Sequence, residues 1–211
     1  MPRYETGLGD EFEPGSNGHV LRNHLGIVDP DVADQIESRL LSSAYLRSVE
    51  ELDTETTFSV EGILDMHRDW LEPLYPFAGQ LRAVDVSKDN FLFARAAFLR
   101  EGLAGLDSIL RRNTPCAGMD LGDLSFAIAE VHAELLFLHP FREGNGRLAR
   151  WLADLMALQS GITPLDWGFR SGGAKARSRY FAALHRGYVT DYGLLTELVA
   201  EALHRGVHGD A

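Results

Sequence analysis

The chain has 211 residues, 45% of them hydrophobic, and 20 Lys and Arg against 31 Asp and Glu give a net charge of −11. A surface this acidic repels phosphate backbones and anionic lipid, which argues against direct nucleic-acid or membrane-surface binding but leaves room for a local anion site. The single cysteine, Cys116, excludes an internal disulfide and a cysteine-based zinc site and reads as a small buried residue. Residues 1–28 are dense in Gly, Asn and charge and read as an extended arm packed on the domain. Met1 to Gly15 carries no apolar run, so it does not read as a secretory signal, and no stretch reaches the ~18 apolar residues of a spanning helix. A cytoplasmic protein is the expectation.

One domain is expected over residues 29–211. Asp29-Pro30 marks a helix start, because a side-chain oxygen caps free N–H groups and proline sits where no N–H is needed. That helix runs to about Leu46, with Val32, Ile36, Leu40 and Leu41 at helical spacing. Ser59 caps a second helix carrying Val60, Ile63, Leu64 and His67, which stops before Pro73 and Pro76. From about Arg82 to Ala94, Leu81, Val84 and Val86 alternate loosely with Arg82, Asp85 and Ser87. Lys88-Asp89-Asn90 then reads as a turn before Phe91-Leu92-Phe93, a short β-hairpin in a helical chain. A helix follows to about Arg112, and Asn113 to Gly122 reads as loop. Leu121, Leu124, Ile128, Val131, Leu135 and Leu138 form one stripe of a core helix. Further helices are expected from about Gly146 to Ser160, closed by Gly161, and over 174–188 and 193–205, the last with Leu194, Leu195, Leu198, Val199, Ala202 and Leu203 inward. The fold class is mainly α.

The chemistry concentrates between His139 and Arg150. Pro140 disfavours α geometry at His139, so the histidine leaves its helix and can project into a cleft. Gly144 and Gly146, flanking Asn145, can turn successive N–H groups toward one point, an anion nest that opens a helix whose positive end favours phosphate. Arg147 and Arg150 are three apart on that helix and share a face. Glu143 is an oxygen ligand placed where magnesium would bridge phosphates. A base, a metal ligand, an anion cradle and two guanidinium clamps within twelve positions are what nucleotidyl or phosphoryl transfer requires.

His139 through Arg150 matches HPFx[DE]GNGRxxR, and on that motif the chain resembles the Fic (filamentation induced by cAMP) family. His67 through Phe77-Ala78-Gly79 and Arg82 resemble the family's first core helix and the run into its flap, and Tyr180 to Leu195, with Asp191-Tyr192, its closing helices. The resemblance implies a Fic-type helical bundle with a hairpin flap at about 82–94 and a motif loop at 139–150. It implies a magnesium-dependent protein adenylyltransferase of the toxin-like class, moving AMP from ATP to a Tyr, Thr or Ser hydroxyl. His139 would be the general base, a role suited to a histidine titrating near pH ~6.5. Phe141 would anchor the loop, and Glu143 would hold Mg2+. Gly144, Asn145 and Gly146 would hold phosphate oxygens, Asn145 with its side chain as well. Arg147 would stabilise the departing pyrophosphate and Arg150 would orient the γ-phosphate. Doc proteins, which phosphorylate, have lysine where Gly146 stands, so Gly146 favours AMP transfer.

Lys88, Asp89 and Asn90 are expected at the tip of a flap that docks an extended target segment by strand addition. The resemblance implies a type II topoisomerase as target, either DNA gyrase or topoisomerase IV. It also implies inhibition by a helix carrying [ST]xxxE[GN], whose glutamate pairs with the second arginine. Thr57 to Gly62 fits that pattern, but Glu61 stands only six residues before His67, so the expectation is a small antitoxin supplying the helix in trans. Alternatives are the same enzyme with another donor, or a non-catalytic nucleotide-binding regulator. His132 and His139 lack the spacing of a helical zinc pair, and His132 and Glu134 read as serving their helix locally. Gly7-Leu8-Gly9 and Ser171 to Lys175 lack the context of nucleotide loops. Asp166 and Trp167 lie, by resemblance, near an adenine pocket, or are structural.

Overall fold

The structure, a computed structural model, describes residues 11–88 and 91–208. Asp89 and Asn90, read above as part of the flap tip, lie outside the described residues. Helix α1 (Pro30–Glu50) begins where the Asp29 carboxylate accepts from the N–H groups of Asp31 and Val32, and it runs a turn beyond Leu46. Its inward face differs from the one predicted. Val32 is 42% exposed, whereas Ala33, Glu37 and Ala44 are buried and Ile36, Leu40 and Leu41 flank them. The buried face is centred on a carboxylate, so counting apolar residues misplaces it.

Ser59 caps α2 (Val60–Leu71), which buries Ile63, His67, Trp70 and Leu71. Strands β1 (Ser87–Lys88) and β2 (Phe91–Leu92) pair antiparallel, with Ser87 opposite Leu92 and Lys88 opposite Phe91. A 3-10 turn, Ala96–Phe98, leads into α3 (Leu99–Asn113). Then come α4 (Leu121–Leu138), α5 (Asn145–Gln159), α6 (Gly173–Gly187) and α7 (Gly193–His208).

Helix α4 is the axis of the domain, packed against α3, α5, α6 and α7, while α1 packs on α2 and α5. The predicted stripe Leu124, Ile128, Val131, Leu135, Leu138 is buried, but Leu121 is exposed and Ala127, Ala129 and Ala133 are buried on other faces. A helix surrounded by neighbours is buried nearly all round, and its small residues let those neighbours approach. Polar groups inside it are therefore paired across helices. Glu130 accepts from Arg112 (2.6 Å) and Asn113 (2.7 Å), and Glu134 accepts from the Tyr192 hydroxyl (2.6 Å). His132 and Glu134 thus join elements far apart in sequence, contrary to the local role expected. Cys116 is buried beside Asn113, and burial pushes its thiol up to about 12, in keeping with a structural residue.

The segment from Glu11 to Val28 lies against the helices. Leu21 enters the core, and the His24 N–H donates to the Leu74 carbonyl (2.9 Å). Arg142, in the loop between α4 and α5, donates to Glu11 (2.8 Å). Among the described residues no helix is long and apolar enough to cross a membrane.

His67, His132 and His139 are each buried, and burial lowers their pKa from 6.5 to about 4, 3 and 3. Above pH ~6.5 they are neutral in both folded and unfolded chains. Below it the unfolded chain takes up protons that the folded chain refuses, so stability falls as pH drops through 6.5 toward 4. Each histidine contributes up to about 1.4 kcal/mol per pH unit in that window. Urea midpoints measured between pH 7.5 and 5 should fall steadily below 6.5, and a flat profile would contradict this burial.

Candidate active site

The site is built where α4 stops and α5 starts. The residue before a proline resists α geometry, and His139 takes the left-handed conformation (φ 49°, ψ 56°) while its N–H still closes on the Leu135 carbonyl. Phe141 is fully buried and stacks on His67 with ring centroids 3.8 Å apart. The Gly79 N–H donates to His67 Nδ1 (2.8 Å), so Nε2 carries the proton and donates to the Glu143 carbonyl (3.1 Å). One buried imidazole thereby supports both the ring and the backbone of the loop.

Gly144 has φ +85°, and a Cβ there would lie 2.8 Å from the Trp70 ring. The first backbone bonds of α5 run from Arg147 and Leu148 to the Gly144 carbonyl, so the N–H groups of Asn145 and Gly146 precede the helical ladder. Gly146 itself lies within α5 and has no left-handed φ, which differs from the two-glycine nest predicted. Asn145 differs as well. Its amide oxygen accepts from the Phe141 N–H (2.9 Å) and its amide nitrogen donates to the Phe141 carbonyl (2.8 Å). The Asn145 side chain locks the loop, and what the residue can offer an anion is its backbone N–H.

His139, Glu143, Gly144, Gly146, Arg147 and Arg150 line one cleft of about 210 Å³, closed on its other sides by Lys88 and Phe93 of the flap region and by Tyr180, Leu184 and Tyr188. His139 is only 4% exposed and stacks on Phe93 at 3.8 Å. Its Nδ1 lies 3.1 Å from the Leu136 carbonyl, so Nδ1 carries the proton and Nε2 is the basic nitrogen. Burial, helped by the charges of Arg82 and Lys88, lowers its pKa to about 3, well below the value near 6.5 expected for it. The imidazole is neutral at neutral pH.

Glu143 accepts from the Gly144 N–H (2.9 Å) and faces Arg147 at 3.4 Å. Among the described residues no three His, Cys, Asp or Glu side chains form a metal cluster. One buried carboxylate beside an anion cradle nonetheless fits magnesium, a hard cation that keeps waters and leans on phosphate oxygens for most of its ligands. Arg150 hydrogen-bonds Tyr180 and lies over Phe169 (5.9 Å). His132 Nδ1 meets the Ala149 carbonyl (3.2 Å), so Nε2 accepts from the Tyr180 hydroxyl (2.7 Å), whose oxygen is left to accept from Arg150.

Two residues that shape this site carried no sequence signal for it. Arg82, read as an outward residue of the hairpin, is buried. It donates to the carbonyls of His139 (2.7 Å), Val84 (2.6 Å) and Leu138 (3.1 Å) and also to that of Ala94, tying the end of α4 to both sides of the flap. Glu37 of α1 forms an ion pair with Arg147 at 2.5 Å. Neither contact has a sequence spacing that could reveal it. Glu61 is exposed in the first turn of α2 and does not line the cleft. Trp167 stacks on His132 (4.9 Å) and lines a second cavity of about 160 Å³ between α6 and α7, apart from the motif cleft.

Residues 57–157 match the model of the Fic/DOC family. The chain is 30% identical over 154 residues to the y4lH protein of Sinorhizobium fredii, across 70% of this chain and 74% of that protein. The chain belongs to the Fic/DOC family. It is 32% identical over 169 residues to protein adenylyltransferase VbhT of Bartonella schoenbuchensis, across 79% of this chain, and it spans 34% of VbhT's length. Its fold is similar to that of the BepC protein of Bartonella tribocorum, crystallised with bound AMPPNP. The TM-score is 0.72 at 18% identity, covering 91% of this chain and 95% of that one. In this Fic domain Arg82 falls inside the matched region and Glu37 outside it.

Gly144→Ala should cost stability, because a left-handed φ and a 2.8 Å contact with Trp70 coincide at one position. A loss of about 1–3 kcal/mol is expected in urea unfolding, with nucleotide binding weakened in the folded fraction. A variant as stable as the parent would show that the turn is not fixed as described.

Proposed function

We propose that this chain is a protein adenylyltransferase, transferring AMP from ATP to a Tyr, Thr or Ser hydroxyl of a target protein and releasing pyrophosphate. The observation that carries the reading is the basic Nε2 of His139 in the same cleft as the α5 N-terminus and two arginines. The adenylyltransferase VbhT and the AMPPNP complex of BepC support it.

The triphosphate lies along the start of α5, its oxygens meeting the free N–H groups of Asn145 and Gly146 and the positive end of the helix. Arg147 and Arg150 take the outer phosphates. Held by Glu143, magnesium supplies charge neutralisation across the phosphates when bound. The target hydroxyl oxygen attacks the α-phosphorus, its proton passes to His139 Nε2, and the bond from the α-phosphorus to the oxygen bridging to the β-phosphorus breaks. The electron pair leaves with pyrophosphate, whose growing charge the arginines stabilise.

A pKa near 3 makes His139 a weak base in the protein alone. Phosphate charges brought beside it favour the imidazolium, raising its proton affinity as the donor binds. Gly146 keeps the helix start open to the donor, since a Cβ there meets nothing closer than the Arg150 guanidinium at 3.6 Å.

The target docks along the flap, where Lys88 lies over Phe181 (5.6 Å) and Leu92 is exposed. DNA gyrase and topoisomerase IV are the proposed targets, by resemblance. A toxin-like role, restrained in trans by a small antitoxin, is favoured by the exposure of Glu61 away from the cleft.

Incubation of the chain with lysate and either α- or γ-labelled ATP tests the reaction. Protein label is expected from the α-labelled donor alone. His139→Ala should reduce it by about 10²–10⁴-fold with the fold retained. Label from the γ position would replace AMP transfer by phosphoryl transfer, and undiminished labelling by the variant would remove His139 as the base.

A further inference from the structure

The first motif arginine does not stand alone in the cleft wall. Its Nη2 meets Glu37 Oε2 at 2.5 Å, and its guanidinium lies over the Trp70 ring, 4.7 Å from the centroid. Glu37 is 2% exposed and held on three counts. Its Oε1 accepts from the Tyr75 hydroxyl (2.6 Å), Oε2 faces Arg147, and its backbone carbonyl accepts from Trp70 Nε1 (2.9 Å). The carboxylate is fixed in the core and cannot follow Arg147 into the cleft. The Arg147 side chain keeps 21% exposure and lines the cleft.

We propose that Glu37 is a positioning residue for nucleotide phosphate binding: it anchors Arg147 from behind, so that helix α1, outside the matched family region, is part of the phosphate clamp. The inference rests on the reading of Arg147 as a phosphate ligand given above. An arginine presents five N–H donors in a rigid fork. Anchoring one edge on a buried carboxylate and one face on an indole leaves the remaining donors in a fixed direction. Preset donors need no reorganisation when phosphate arrives, whereas an unanchored arginine would lose side-chain entropy on binding. Glu37 acts through Arg147 and touches no substrate. Because the pair lies near the outer phosphates, its effect should appear with ATP and vanish with AMP.

Glu37→Gln keeps the side-chain volume and the Tyr75 hydrogen bond while removing the charge that orients Arg147. Equilibrium binding of ATP and of AMP, with melting temperature as the check on folding, tests the anchor independently of catalysis. Loss of one oriented charge-assisted contact is expected to weaken ATP binding by about tenfold and to leave AMP binding within about twofold. Where transfer is active, kcat should fall as well. Tyr75→Phe removes only the support of Oε1 and should shift the ATP-to-AMP ratio the same way by less. If Glu37→Gln impairs folding, that second variant carries the test. Equal weakening of ATP and AMP would make Glu37 merely structural, and tighter ATP binding by the variant would make it a competitor of phosphate; either result overturns the proposal, as does loss of folding in both variants. A parent protein that binds ATP better than AMP but labels no target would refute the transferase reading and leave the anchor to be judged by the binding ratio.

Discussion

Pro140 stops α4 at Leu138, and the site follows from that stop. A proline cannot extend the helical ladder and pushes the residue before it out of α geometry. His139 therefore turns into the left-handed region, which swings its imidazole out of the helix line and against Phe93. The same stop leaves the last carbonyls of α4 without helical partners. Arg82 collects those of Leu138 and His139 and reaches the flap carbonyls of Val84 and Ala94 with its other donors. One arginine thus places the hairpin over the histidine. Flap and base are a single hydrogen-bonded unit, even though they come from chain segments more than fifty residues apart.

Trp70 performs a comparable task at the other side of the cleft. Its indole N–H binds the backbone of Glu37, its face supports the Arg147 guanidinium, and its edge lies where a Gly144 side chain would be. These contacts fix α1, the left-handed turn and the first motif arginine relative to one another. Ionic groups this deep are costly to desolvate unless each finds a partner, and the partners here are rigid. What they provide is orientation: donors that already point into the cleft before any phosphate enters it.

The motif residues depend on a second set of groups with no chemistry of their own in the reaction. His67 supports Phe141 and the Glu143 carbonyl, Asn145 clamps the Phe141 backbone at both ends, and His132 orients the Tyr180 hydroxyl toward Arg150. Each of these is a buried polar group paired with a loop or a neighbouring helix. Their pairing explains how a six-residue connection between two helices, from His139 to Gly144, holds a fixed shape without secondary structure of its own.

The helices were legible in the sequence because their signals are local: the Asp29 and Ser59 caps, the apolar spacing of α4, and the glycine that ends α5 act within a turn or two of chain. The motif at His139 to Arg150 was legible for the same reason, since twelve adjacent residues carry both the backbone constraints and the functional groups. The inward face of α1 was not, because a carboxylate sits at its centre and owes its burial to Arg147 and Tyr75, distant in sequence. Nor was the commitment of the Asn145 side chain to the loop, the inward position of Arg82, or the neutral state of His139. Local sequence determined where the chain coils, where it must break and which groups the break presents. Only the packing of helices around α4 decided which polar groups are buried, because burial and charge pairing are properties of neighbours in space and not of neighbours along the chain.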